Sequence, residues 1–381
     1  MNTVDSAFIR FYISSMKDAL PEDTQIRPLV QLRGRGTAQN PPNRFVQMDF
    51  VPDYDELDPE APGPGTVFLR DATKTIIARK DSPDVGFGAS MNPYRGCEHG
   101  CIYCFARPTH EYFGLSAGLD FETKIFVKED APELLRQALA SPRWEPEVIA
   151  MSGVTDCYQP VERKLRITRR CLEVLAEFRN PVAIITKNHL VTRDVDILGE
   201  MAAWNGSAVN VSITSLDEKL QRVMEPRTST PKRRLAAVEA LAKAGVPVRV
   251  LAAPMIPGLN DHELPAIIKA SANAGATGVH YIPLRLPYAL KELFDTWLAT
   301  HFPDRREKVL HRIREIRGGR LNDPGFGSRM RGEGAYADQL RALYQATARK
   351  YGLTGEMPRL STAHFRRPHD RRGQLGLFEA A

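Results

Sequence analysis

The chain has 381 residues, 43% hydrophobic and 26% charged, ordinary proportions that exclude a disordered or fibrous protein and suit one large α/β domain with additions or two modest domains. No apolar run approaches a membrane span, and Arg10 and Lys17 interrupt the first twenty residues, so the expectation is a cytoplasmic protein with no membrane contact. Five cysteines argue against a disulfide framework, and a net charge of +6 permits an anionic partner such as nucleic acid without requiring one.

Residues 1–75 are rich in Pro, Gly and Arg and carry little periodicity, which predicts an irregular extension wrapped over a core. Within it, Arg33 and Arg35 are candidates for phosphate contact. From about Gly86 the pattern changes. Gly86–Asn92, Glu147–Ser152, Pro181–Thr186, Ala208–Thr214, Pro247–Ala252 and Gly278–Pro283 read as strands. Amphipathic helices over Pro132–Leu139, Leu165–Phe178, Val195–Trp204, Pro231–Ala244 and Leu264–Ala274 lie between them. Six βα units imply parallel strands with right-handed crossovers, hence a curved sheet or barrel over residues 76–320, and near-continuous apolar runs suit strands buried on both faces. Pro231 opens a helix at no cost in hydrogen bonds, and Gly245 with Pro247 closes it. Pro287–Ile316 reads as helix interrupted at Phe302-Pro303-Asp304, and Tyr336–Tyr351 supplies the helix of a C-terminal addition over 321–354. Residues 355–381 are polar and basic and predict a mobile tail.

After the first strand comes Asn92-Pro93-Tyr94-Arg95-Gly96-Cys97-Glu98-His99-Gly100-Cys101-Ile102-Tyr103-Cys104-Phe105. Three of the five cysteines stand here in the spacing C-x3-C-x2-C, with glycines that let the backbone fold back. Converging thiolates suit iron–sulfur or zinc and not magnesium or calcium. A [4Fe–4S] cluster normally takes four cysteines, so three would leave one iron open to an exchangeable ligand. A structural zinc site completed by His99 or His110 is the alternative, although no second ligand couple of the usual spacing exists in the chain.

With Tyr103 before the last cysteine, Cys97, Cys101 and Cys104 resemble the C-x3-C-x-aromatic-C signature of the radical S-adenosylmethionine (SAM) enzymes, and among these the chain most resembles the spore photoproduct lyases and their relatives. The resemblance implies an open partial TIM barrel, (β/α)6, a [4Fe–4S] cluster on the three thiolates, and SAM chelating the open iron. It also implies an electron donor such as flavodoxin or ferredoxin.

In parallel βα architectures the chemistry gathers at the C-terminal ends of strands. The resemblance gives Tyr103, with Phe105 beside it, a role in placing the adenine; two core aromatics is the other reading. After the second strand, Ser152, Gly153, Thr155 and Asp156 offer acceptors to the methionyl amine, though the usual Gly-Gly-Glu is absent. The resemblance also places a hydrogen-donating cysteine in this loop. Cys157 is the candidate, but alignment through Thr155-Asp156 puts that position near Gly153, and a small packed thiol is the alternative. Cys171, within a helix, reads as core. Lys187 after the third strand is a candidate for the cofactor's ribose or carboxylate. Ser212 and Thr214 after the fourth alternate so as to point the same way. Arg227 suits a carboxylate grip or an ion pair with Glu225. Arg285, Arg329 and Arg331 are candidates to line the substrate mouth or to form surface salt bridges.

In the tail, Gln374, Leu375, Leu377 and Phe378 resemble the Q-L-x-L-F peptide by which bacterial DNA-handling proteins dock on the sliding clamp. The resulting expectation is a 5′-deoxyadenosyl-radical enzyme acting on nucleic acid in a DNA-repair-like reaction. The alternatives are a radical SAM enzyme acting on protein, tRNA or a small molecule, and a clamp-tethered iron–sulfur protein that senses redox state on DNA without turnover.

Overall fold

The strands, in chain order, are β1 (Val67–Arg70), β2 (Ile77–Arg79), β3 (Ala89–Met91), β4 (Tyr94–Arg95), β5 (Lys124–Val127), β6 (Ile149–Met151), β7 (Val182–Thr186), β8 (Ser207–Ser212), β9 (Val248–Met255) and β10 (Gly278–Pro283). The structure is a computed structural model and describes residues 34–45, 65–79, 82–84, 86–353 and 359–368. The main sheet runs β10-β9-β8-β7-β6-β3-β2. Its six strands from β3 to β10 are parallel and coincide with the six apolar runs, while β2 adds antiparallel at the edge. The two edge strands do not pair with each other among the described residues, so the expected open (β/α)6 partial barrel is what forms.

Helices Ala131–Ala140, Ile167–Phe178, Val195–Ala202, Pro231–Lys243 and Leu264–Asn273 cover one face of this sheet. Pro231 stands in the first turn of its helix, and Gly245, at φ +76°, ends it, with the Val246 N–H returning to the Leu241 carbonyl at 3.0 Å. The interrupted C-terminal segment resolves into Leu290–His301 and Pro303–Glu315, and the last helix is Ala335–Lys350. Cys171 is core, as expected.

Strands β3 and β6 are buried on both faces, as expected, and β8 nearly so, but β7 and β9 are not. In β7, Val182, Ile184 and Thr186 are buried against helices while Ala183 and Ile185 are half-exposed, and β9 repeats this with Val250 and Ala252 against Arg249 and Leu251. The inward face of an open sheet stays accessible, so apolar runs of this kind line a lumen as well as a core.

Strands β1, β5 and β4 form a separate sheet in the order β1-β5-β4 that no apolar run announced, because each strand is at most four residues long. The described part of the N-terminal extension is not irregular throughout, since β1 lies within it and pairs with β5. Arg35 is buried with its guanidinium on the Glu122 carbonyl at 3.2 Å, which spends it on structure, and the Asn43 amide donates to the Glu111 and Leu115 carbonyls at 3.0 and 2.8 Å. Arg33 lies outside the described residues, as do Gln374, Leu375, Leu377 and Phe378. The expectation of a mobile tail fails for residues 359–368. The Ser361 and Arg366 N–H groups donate to the Asn205 and Phe178 carbonyls, each at 2.9 Å, and Phe365 packs on Phe178. These bonds replace water at exposed helix ends, so a polar segment acquires a fixed course. No helix among the described residues is long and apolar enough to cross a membrane.

Candidate metal centre

The cysteine loop turns on two glycines, Gly96 at φ +77° and Gly100 at φ +65°. A Cβ on Gly96 would meet His110 Cε1 at 2.7 Å, and one on Gly100 would meet Glu122 Oε2 at 2.6 Å, so both conformation and space demand glycine. The Cys97 N–H donates to the Phe121 carbonyl at 2.9 Å and the Ile102 N–H to the Met224 carbonyl at 3.1 Å. Cys97 and Cys101 are each 7% exposed and Cys104 is half-exposed.

Hydrogen bonds to neighbouring loops hold the leading flank. Thr155 Oγ1 donates to the Gly96 carbonyl at 2.6 Å, and the Glu98 N–H donates to Gln159 Oε1 at 2.9 Å. The Glu98 carboxylate accepts from the Val161 N–H at 2.8 Å and pairs with Arg227 at 2.9 Å. The His99 ring sits 3.2 Å from Asn188 Nδ2 and 3.4 Å from Asp156 Oδ2. Asp156 in turn accepts from Thr186 Oγ1 at 2.8 Å and from the Lys187 N–H at 2.7 Å. Although burial opposes it, His99 and these donors keep the Asp156 carboxyl below the usual carboxylate range.

Buried ion pairs hold the trailing flank. Arg107, fully buried, donates to the Cys101 carbonyl at 2.9 Å and to Glu122 at 2.5 Å. Tyr103, 6% exposed, gives its hydroxyl to Glu225, whose carboxylate also takes Thr214 Oγ1 at 2.7 Å and pairs with buried Arg234. Glu225 was anticipated only as a partner for Arg227; it pairs with Arg234, and Arg227 with Glu98.

The two histidines bear on the zinc alternative. His99 meets Asn188 and Asp156, and His110 gives one ring nitrogen to the Lys124 carbonyl at 2.9 Å while its Nδ1 is buried without a partner, burial pulling the His110 pKa down to about 4. No group of three or more His, Cys, Asp or Glu side chains among the described residues is placed to hold a single ion. A [4Fe–4S] cluster asks for something different, because each thiolate binds its own iron. Three thiols on one fixed loop, with no imidazole or carboxylate completing the set, fit that cluster. Burial, then Glu225, pushes the Cys101 thiol well up, so the site binds metal by displacing a proton.

Around this loop the expected cofactor residues divide. Tyr103, Lys187 and Thr214 converge: Lys187 Nζ lies 5.8 Å from the Tyr103 ring centroid, and the Tyr103 and Thr214 hydroxyls are 3.2 Å apart. Gly153 has its N–H on Asn92 Oδ1 at 2.9 Å. Ser152, at φ +78°, spends its hydroxyl on the Cys157 N–H at 2.9 Å, and Thr155 spends its own on the cysteine loop. Asp156 and Arg227 anchor that loop and do not stand free to meet a ligand. Ser212 is buried at the end of β8, its carbonyl on Arg234 at 3.0 Å. Phe105 is 52% exposed.

Cys157 corrects the expectation of a hydrogen donor. Its thiol is fully buried within the hydrophobic core, and burial pushes it well above the usual thiol range. A residue that returns hydrogen to a substrate radical must reach the lumen, whereas this one packs. Of the three candidate mouth arginines, Arg329 is a salt-bridge partner of Asp84, and Arg331 is exposed. Arg285 lies 5.6 Å from the Phe105 ring centroid, with a buried Nε that has no partner and one terminal nitrogen on Met330 Sδ at 3.5 Å. Sequence reasoning passed over Glu98, Arg107, Glu122 and Asn188. Glu98 inside the cysteine motif was the one legible signal, since a charge between two ligand positions needs a partner.

Known proteins resemble this chain in sequence and in fold. The family model "Radical SAM superfamily" matches residues 91–270. An uncharacterized protein of Mycobacterium tuberculosis is 36% identical over 273 residues, covering 71% of this chain and 76% of that protein. An uncharacterized protein of Methanocaldococcus jannaschii is 28% identical over 173 residues, covering 45% and 62%. Spore photoproduct lyase complexed with dinucleoside spore photoproduct superposes with a TM-score of 0.55 at 16% identity, over 74% of this chain and 79% of that chain.

Proposed function

The chain belongs to the radical SAM superfamily, an enzyme with a [4Fe–4S] cluster and SAM as cofactors, and from that premise we propose that it acts on nucleic acid at the open mouth of the partial barrel. The observation that carries this reading is the pair Phe105 and Arg285. An exposed aromatic ring next to a cluster cysteine, with a guanidinium facing it that no carboxylate neutralises directly, offers a stacking surface for a base and a donor for a phosphate. The lyase of similar fold has been seen with a dinucleoside photoproduct, which supports the same class of substrate.

When bound, the cluster and SAM supply a 5′-deoxyadenosyl radical by one-electron reductive cleavage. The chain's residues prepare for that. Cys97, Cys101 and Cys104 hold the irons. Lys187 brings a cation toward the methionyl carboxylate or ribose. Tyr103, locked by Glu225 and Arg234, fixes the trailing flank of the loop. A target base in a duplex would have to leave the stack to enter. A reducing cytoplasm with a flavodoxin- or ferredoxin-type donor suits a chain whose five cysteines are all free, and docking on a sliding clamp through Gln374, Leu375, Leu377 and Phe378 belongs to the same proposal.

The test is anaerobic reconstitution with SAM and reductant, with and without single-stranded oligonucleotide. The expected result is 5′-deoxyadenosine formation that oligonucleotide stimulates, salt-dependent oligonucleotide binding, and binding about tenfold weaker in Arg285→Gln. Steady 5′-deoxyadenosine formation with no response to nucleic acid would favour a protein or small-molecule substrate, and a loaded cluster with no 5′-deoxyadenosine would favour the redox sensor. Purified clamp that fails to retain the intact chain would end the docking proposal.

A further inference from the structure

Beside the cysteine loop, but reached from the segments after β7 and β8, lies a cavity of 550 Å³. Arg163, Arg193, Arg227, Arg233 and His189 line it, and no carboxylate does. Two of the four guanidiniums are already neutralised: Arg193 by Glu162 and Asp194 at 2.8 and 2.7 Å, and Arg227 by Glu98 at 2.9 Å. Arg163 has no ion-pair partner among the described residues, and Arg233 reaches only the His189 Nδ1, at 3.4 Å. With Arg233 on Nδ1, the other ring nitrogen of His189 carries the proton and can donate. Burial and Arg233 both hold the His189 pKa below its usual value, so the ring adds a donor without adding charge. The helix Pro231–Lys243 begins in the same wall; Thr230 makes no side-chain capping bond there, and its first turn contains no acid. Another cavity, of 620 Å³, also has basic walls but includes Asp261. The cavity after β7 and β8 thus gathers uncompensated positive charge and neutral donors around a concave space.

We propose that this cavity is a phosphate-binding site, taking the phosphate of a nucleotide or of a nucleic-acid strand next to the cluster loop. A concave space of this size suits a phosphate group better than the flat acidic face of a protein. Arg163 and Arg233 are the residues that select it, each free to give a charge-assisted, bidentate contact. Anchoring through Asn188 and Arg227 joins the cavity to His99 and Glu98 of the cysteine loop, so a ligand here lies against the outer wall of the metal centre.

The experiment uses the full-length reconstituted protein and Arg163→Gln/Arg233→Gln, two exposed positions whose change leaves the fold and basal 5′-deoxyadenosine formation intact. Binding of inorganic phosphate, a mononucleotide and a labelled 12-mer oligonucleotide is measured across a salt series. The expected result is at least tenfold weaker binding in the double variant, with the salt slope for the oligonucleotide falling by about 0.7 per guanidinium removed. Mononucleotide binding that depends on both arginines, with no oligonucleotide binding, keeps the phosphate site and removes the nucleic-acid substrate proposed above. Equal affinities in variant and parent for all three probes overturn the site. So does displacement of phosphate by SAM at the same affinity, which would assign the cavity to the cofactor, or a defect confined to reduction by an acidic donor protein, which would make it a docking face.

Discussion

The two flanks of the cysteine loop are held by different chemistry. The leading flank, Gly96 to Gly100, rests on a web of shared hydrogen bonds and charge pairs: Thr155, Gln159, Glu98 with the partly exposed Arg227, and buried Asp156 with His99. The trailing flank, Cys101 to Arg107, rests on two fully buried ion pairs, Arg107 with Glu122 and Arg234 with Glu225. A web of shared contacts tolerates the loss of one member, while a buried pair stripped of a partner strands a charge in a medium that cannot solvate it. The trailing flank is therefore the brittle one and the leading flank the adjustable one, which is also the flank that adjoins the arginine cavity.

The largest expected effect breaks the brittle side. Glu225→Gln leaves Arg234 uncompensated and should cost about 3–5 kcal/mol in denaturant unfolding, with iron content falling in parallel; a loss below 1 kcal/mol would remove the distinction between the flanks. Acid should act next, at the leading end of the loop. His110, buried behind Gly96, titrates near 4 in the folded protein against about 6.5 unfolded, so the unfolded state binds more protons between those values. Stability should be full above pH 6.5 and fall as the pH drops toward 4, by up to about 3 kcal/mol, as read by unfolding midpoints with and without His110→Gln.

On the adjustable side, Asp156→Asn keeps the shape and loses one acceptor and a charge. Its expected cost is about 1–3 kcal/mol, together with weaker SAM binding because the Lys187 backbone is no longer held; calorimetric titration with SAM checks it. The smallest effect is expected from Cys157→Ala, about 1 kcal/mol for one buried sulfur with 5′-deoxyadenosine formation unchanged. Loss of product formation at unchanged 5′-deoxyadenosine yield would restore Cys157 as the hydrogen donor.

The periodicity of the sequence located all six barrel strands and their helices to within a few residues, since long repeated apolar runs leave few alternatives. The short strands β1, β4 and β5 carried no such signal. Lys187 and Tyr103 come together because chain order puts both after barrel strands, and chain order survives folding. Arg227 and Cys157 were left between alternatives because the identity of a partner, or which face of a loop is buried, is a tertiary fact: Arg227 meets Glu98, more than a hundred positions away, and Cys157 turns into the core.

By itself, then, the sequence determined the metal-binding loop and the βα repeat, because ligand spacing and hydrophobic period are local properties of the chain. Tertiary structure alone decided what surrounds them: which carboxylate each arginine meets, which groups His99 and His110 meet, that residues 359–368 are fixed, and that unneutralised guanidiniums gather in one cavity. Those outcomes depend on distances between segments far apart in sequence, where burial raises the cost of every unpaired charge and so fixes the pairing.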